Sequence, residues 1–317
     1  MDRTSMMTSP DSTGTVPVTA LTGLSAFPLT PLKDGQLDQT AFAGLVQRLV
    51  AAGVDSIIVL GSTGSYMYLD RAERERVIRL AVQHAAGIPV LAGVGAMRTE
   101  HVLAHIDDAR AAGAAGVLLA PVGYQRLDDD EVFELFRAAT GRSELPVVVY
   151  DNPSTTHFTF SNQLYGRIAQ LPGIISIKIP GVPADPEEAR AHVAAIRAVL
   201  PEHVGIGVSG DAFGAAGLIA GCDTWFTAVG GTIPVPMLGI TRAVQAGEPA
   251  KALALSEDLQ PLWELIGQCG SLRVSAAIAE RQGLAAPDCL PLPVQGLKPD
   301  QRAQLALMLD RLGLASL

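Results

Sequence analysis

The chain has 317 residues, 48% of them hydrophobic and 17% charged, which supports one large buried core and excludes a disordered protein. A formal net charge of −9, with no cluster of Lys and Arg, gives it no electrostatic reason to bind nucleic acid or an anionic membrane. No stretch approaches the roughly 20 apolar residues of a membrane span. The three cysteines, Cys222, Cys269 and Cys289, are scattered and odd in number, so they fit neither a disulfide framework nor a zinc site and point to a reducing cytoplasm. The first eighteen residues lack the basic start and apolar centre of a signal peptide and read as a loose tail.

From Leu21 onward short apolar runs alternate with longer amphipathic ones. Residues 24–28 read as a strand, and residues 38–52 as a helix, with Phe42, Leu45, Val46, Leu49 and Val50 at helical spacing. The next strand is 56–60, and its helix runs from the N-cap Asp70 to Ala85. Residues 89–94 form a third strand, Thr99 caps a third helix, and 116–120 is a fourth strand. The acidic run Asp128 to Glu131 complements the dipole at the start of a fourth helix. Then come the β-rich run 146–150, a helix over 161–170, and a strand that ends Ile177-Lys178-Ile179 before Pro180-Gly181 breaks it. A helix over 185–200, a strand over 204–208, a short helix from Asp211, a strand over 224–228 and a helix after Pro234 complete the series.

Eight strand–helix units in succession predict a closed parallel (β/α)8 barrel, a TIM barrel, over residues 19–247. An open doubly wound sheet would need fewer units or a switch point. From Glu248 the strand pattern stops, and residues 248–317 read as a C-terminal helical extension.

In such a barrel the chemistry sits at the C-terminal strand ends. Strand two ends in Gly61-Ser62-Thr63-Gly64-Ser65, strand five in Tyr150-Asp151-Asn152-Pro153, strand six in Lys178 and strand seven in Ser209-Gly210-Asp211. The chain holds four lysines against nineteen arginines, and Lys178 alone falls within a strand. A buried amine there either snorkels to a carboxylate or, with its pKa lowered by desolvation, attacks a carbonyl to form a Schiff base. The Gly-Ser-Thr-Gly loop is either an ordinary strand-to-helix turn or a cradle of N–H and hydroxyl donors for a small anion such as a carboxylate. Without Gly-Lys-Ser/Thr it is not a P-loop. Tyr150 either packs with its hydroxyl satisfied or relays protons opposite the lysine. Asp211 is read as an N-cap or a site residue, and Trp225 as a candidate substrate-binding residue. His101 and His105, four apart without a third ligand, read as a solvated helix face, and no metal or cofactor is expected.

Taken with Thr30-Pro31 and Ala92-Gly93-Val94-Gly95-Ala96, these strand ends resemble the dihydrodipicolinate synthase/N-acetylneuraminate lyase family of class I pyruvate-dependent aldolases, from about Leu21 to the C-terminus. The resemblance implies a Schiff base between Lys178 and pyruvate or a related 2-oxo acid, with Ser62 and Thr63 on its carboxylate and Tyr150 as acid/base. It also implies a homotetramer, and the further substrate-binding candidates are Thr155, Gly210, Asp211 and Trp225. Three places depart from the family pattern. Ser65 stands where many members carry Glu, and Thr155 stands where the lysine-pathway synthases carry an arginine. Pro121-Val122-Gly123-Tyr124 replaces a Pro-Tyr-Tyr stretch whose tyrosine serves a neighbouring subunit, so that relay is absent or is supplied by Tyr124 from a shifted position. The second substrate therefore stays open between an aldehyde and a sugar acid, with a sugar-acid aldolase or dehydratase as an alternative. A catalytically silent barrel that binds a metabolite is the alternative of another class.

Overall fold

The short apolar runs are too brief to cover their own polar backbone and satisfy it by pairing side by side. In the computed structural model, which describes residues 19–315, they form a closed barrel of parallel strands. The strands are β1 (Gly23–Ala26), β2 (Ser56–Val59), β3 (Val90–Gly93), β4 (Gly116–Leu119), β5 (Val147–Tyr150), β6 (Ile174–Ile179), β7 (Gly205–Ser209) and β8 (Thr224–Thr227), with β8 pairing back onto β1. The expected tail at 1–18 lies outside the described residues.

Around the barrel run α1 (Gln39–Ala52), α2 (Arg71–His84), α3 (Thr99–Ala111), α4 (Asp129–Arg142), α5 (Asn162–Ala169), α6 (Pro186–Arg197), α7 (Gly214–Ile219) and α8 (Pro234–Gln245). The first helix shows the logic: Phe42, Leu45, Val46 and Leu49 recur on one face and are fully buried. Asp70 and Asp128 cap their helices in reciprocal boxes with Glu73 and Glu131, each pair exchanging hydrogen bonds of 2.8–2.9 Å. Thr99 does not cap α3: Arg98 occupies the extended cap position and Thr99 is already helical, with no side-chain cap bond. After the barrel come α9 (Pro249–Asp258), α10 (Gln260–Cys269), α11 (Ser271–Arg281) and α12 (Pro299–Arg311). Sequence reading passed over a two-residue hairpin, Leu32–Lys33 against Gln36–Leu37, and a single helical turn at Pro153–Thr156.

Inside the barrel, Ile58, Leu91, Leu118 and Val148 fill the floor with apolar packing, so the interior is a core and only its upper end is open to chemistry. One irregularity sets the register there. Val147 pairs with Ile174 but Val148 pairs with Ser176, so Ile175 is an extra residue on β6. Beyond this bulge the strands run in phase again, and Tyr150 and Lys178 lie directly opposite each other. On the other flank Lys178 faces Gly207, where an added Cβ would stand 2.1 Å from the Phe226 ring. Glycine at that place leaves room for both the lysine stem and the ring.

Candidate active site

At the C-terminal ends of the strands opens a cavity of about 720 Å³, a size suited to a small-molecule substrate. The β6 backbone carries Lys178 to its inner end, where only 5% of the residue is exposed. Its Nζ lies 4.1 Å from the centroid of the Tyr150 ring, 5.6 Å from that of Phe27 and 5.8 Å from that of Phe226. Burial lowers the lysine pKa to about 7, against the opposing pull of the nearby Asp211 and Asp151 carboxylates. A substantial fraction of the amine is therefore neutral, hence nucleophilic, near neutral pH.

The phenol of Tyr150 is held by two neighbours. Asn152 Nδ2 donates to its oxygen at 2.8 Å, and Ser62 Oγ lies 3.2 Å away. The Asn152 amide is oriented in turn, because its Oδ1 accepts from Ser154 Oγ at 2.7 Å. With Asn152 supplying a proton to the phenol oxygen, the phenol's own hydrogen is free to point at Ser62. Burial raises the Tyr150 pKa, and the bonds from Ser62 and Asn152 work against that rise.

Two carboxylates sit behind this pair. Asp211 is not a helix cap: its Oδ1 accepts from Thr227 Oγ1 at 2.7 Å and from the Ala228 N–H at 2.9 Å, which fixes it at the cavity wall. Burial raises its pKa. Asp151 does not line the cavity; it accepts from the Tyr165 hydroxyl at 2.5 Å, while its N–H donates to the Lys178 carbonyl at 3.0 Å. Burial pushes its carboxyl up to about 6.

Of the residues singled out by sequence, Lys178, Tyr150, Ser62, Thr63, Thr155, Gly210 and Asp211 all border this one cavity. Trp225 does not. It is fully buried in the outer layer, where Gly214 of α7 packs against the indole, and Phe226 is the β8 aromatic that reaches the lysine. Tyr124 is 89% exposed and does not line the cavity. Thr155 is exposed, and its hydroxyl donates to the Asn152 carbonyl at 3.3 Å. His101 is exposed and His105 half-buried on α3.

Sequence reasoning missed the roles of Phe27, Asn152 and Phe226, and it missed the closing wall. Ile266, Gly270, Ser271 and Leu272 of the C-terminal helices complete the outer end of the cavity, where Gly270 breaks α10 from α11 with φ +83°. A sequence signal for this wall is the glycine pair Gly267 and Gly270 within a helical pattern. Among the described residues, no group of three or more His, Cys, Asp or Glu side chains is arranged to hold a metal ion, and no helix is long and apolar enough to cross a membrane.

Known proteins resemble this chain over nearly its whole length. The model of the dihydrodipicolinate synthetase family matches residues 20–312. The chain is 32% identical over 282 residues to the 4-hydroxy-tetrahydrodipicolinate synthase of Hyphomonas neptunium, spanning 87% of this chain and 92% of that one. The crystal structure of dihydrodipicolinate synthase from Agrobacterium tumefaciens matches with a TM-score of 0.88 at 43% identity, covering 92% of this chain and 98% of that one. YagE, a prophage protein of the same family from E. coli solved in complex with pyruvate, matches with a TM-score of 0.84 at 26% identity, over 92% of this chain and 99% of its own. With a barrel, a cavity at its strand ends and a family match over nearly its whole length, the chain belongs to the dihydrodipicolinate synthetase family and is an enzyme of its aldolase/lyase class.

Proposed function

We propose that Lys178 forms a Schiff base with pyruvate or a related 2-oxo acid, and that the enzyme makes or breaks a C–C bond next to the resulting imine. The observation that carries this reading is the lysine itself, buried at 5% exposure over the Tyr150 ring, with a pKa lowered to about 7. Its neutral amine attacks the C2 carbonyl of the oxo acid, and loss of water from the carbinolamine leaves a protonated imine. That imine withdraws electrons from the adjacent carbon, so a proton leaves C3 and an enamine forms. Tyr150 moves the protons, with its phenol oriented between Asn152 and Ser62. The hydroxyls of Ser62 and Thr63 hold the substrate carboxylate, and Gly210, with φ +80°, lets the backbone approach it from the opposite wall.

The pyruvate-bound family structure and the synthase names of the relatives support this reaction class. By the same family reasoning we place the enzyme in the cytoplasm as a homotetramer, for which light scattering should return four times the chain mass. The first half-reaction has a test that needs no second substrate. In D2O the methyl protons of pyruvate should exchange, seen as loss of the methyl signal in proton NMR, and Lys178→Met should slow this by roughly 10⁴-fold. Exchange at equal rates in both proteins would overturn the proposal.

A further inference from the structure

The cavity extends well past the lysine, and its outer end has a distinct composition. Among the described residues that line it, Lys178 and Asp211 are the only Lys, Arg, His, Asp or Glu. The outer wall is made by Met67, Tyr68, Ile266 and Leu272, with the neutral hydroxyls of Thr155 and Ser271 between them. On that side the Arg273 guanidinium lies close by, with Nη1 4.0 Å from where a Cβ on Gly270 would stand. It is exposed, outside the lining, and engaged with the Gln295 carbonyl at 3.0 Å and the Cys269 carbonyl at 3.5 Å.

Charge bookkeeping then restricts what can enter. When the imine forms, Lys178 supplies one positive charge and the carboxylate of the 2-oxo acid matches it, while Asp211 stands beside the pair as a further acid. A second anionic group would enter a partly desolvated space whose lining holds no further cation to pair with it, beside the carboxylate of the oxo acid. The start of α11 at Ser271 offers only the partial charge of a helix end, which suits a carbonyl or hydroxyl dipole and does not replace a guanidinium fork. A space of about 720 Å³, walled by a methionine, a tyrosine and two branched aliphatic residues, holds a body larger than the oxo acid alone.

We infer that the electrophile joined to the 2-oxo acid is an uncharged aldehyde with an apolar alkyl or aryl body, and that carboxylated and phosphorylated aldehydes are rejected. The inference rests on the Schiff-base reading. In the step it implies, C3 of the enamine bonds to the aldehyde carbon and the aldehyde π pair becomes an alkoxide, which takes a proton from Tyr150. Water then hydrolyses the imine, returning the Lys178 amine and a 4-hydroxy-2-oxo acid. The water consumed balances the water lost on imine formation, and no oxidant or reductant is involved.

The test supplies the intact enzyme with pyruvate and, in turn, benzaldehyde, glyceraldehyde and succinic semialdehyde, and follows the 4-hydroxy-2-oxo acid by chromatography. The expected kcat/KM for benzaldehyde exceeds that for each of the others by at least about tenfold. Thr155→Arg, on an exposed turn, should lower the benzaldehyde to succinic semialdehyde ratio by about tenfold by supplying the absent cation. Pyruvate methyl exchange in D2O is measured on the same samples. With exchange intact, a preference for succinic semialdehyde or glyceraldehyde, equal use of all three, or use of none overturns the inference alone. Absence of exchange overturns the Schiff-base reading and the inference with it.

Discussion

At the inner end of the cavity, Tyr150 touches Asn152 and Ser62, Asp211 accepts from Thr227 and the following backbone, and Lys178 rests among three aromatic rings; at the outer end, Thr155, Tyr68 and Ser271 stand neutral around open space. The inner groups come from β5, β6, β8 and the segments just after β1, β2, β5 and β7, whose positions are set by strand pairing, whereas the outer ones come from loops and from the helices beyond the barrel. Rigid pairing suits the end that activates one shared substrate, because proton transfer and nucleophilic attack tolerate little misplacement. Loops and appended helices suit the end that selects, because their side chains change without disturbing the barrel.

This contrast can be broken at several points. The largest effect expected from a conservative change is at the inner end. Tyr150→Phe keeps the ring beneath the ammonium but removes the hydroxyl, and kcat should fall by about 10²–10³-fold with any aldehyde. A loss confined to one aldehyde would place Tyr150 among the selecting groups instead. At the outer end Thr155→Arg should change preference among aldehydes, with a smaller effect on pyruvate exchange than Tyr150→Phe. The smallest effect is a shift in pH dependence. Because the lysine pKa is depressed to about 7, the exchange rate should rise as pH rises through that value and then level off. Asp151→Asn retains an acceptor for Tyr165 and removes a negative charge that favours the ammonium, so the inflection should move to lower pH. A pH–rate profile of methyl exchange for the two proteins checks the sign, and movement to higher pH would contradict it.

Much of the inner end was legible in the chain alone, because its residues violate local expectation: a lysine closing an apolar strand run, and a hydroxyl loop between glycines. The aromatic walls were not legible. Trp225 and Phe226 are adjacent in β8, and which of them turns inward depends on register, here Trp225 opposite Val208 and Phe226 opposite Ser209. The bulge at Ile175 is likewise a product of pairing with β5, with no local signature of its own. The wall formed by Ile266 to Leu272 was hidden for another reason. Its contact with the cavity depends on how helices distant in sequence fold back over the barrel mouth, which periodicity does not encode.

The central claim, that Lys178 is the residue joined to the oxo acid, is tested most directly by sodium borohydride reduction in the presence of pyruvate, followed by peptide mass spectrometry. The account predicts one reduced pyruvyl group per chain, located on Lys178 and absent from Lys178→Met. A reduced adduct on Lys33, Lys251 or Lys298 with Lys178 unmodified, or no adduct at all, would contradict it.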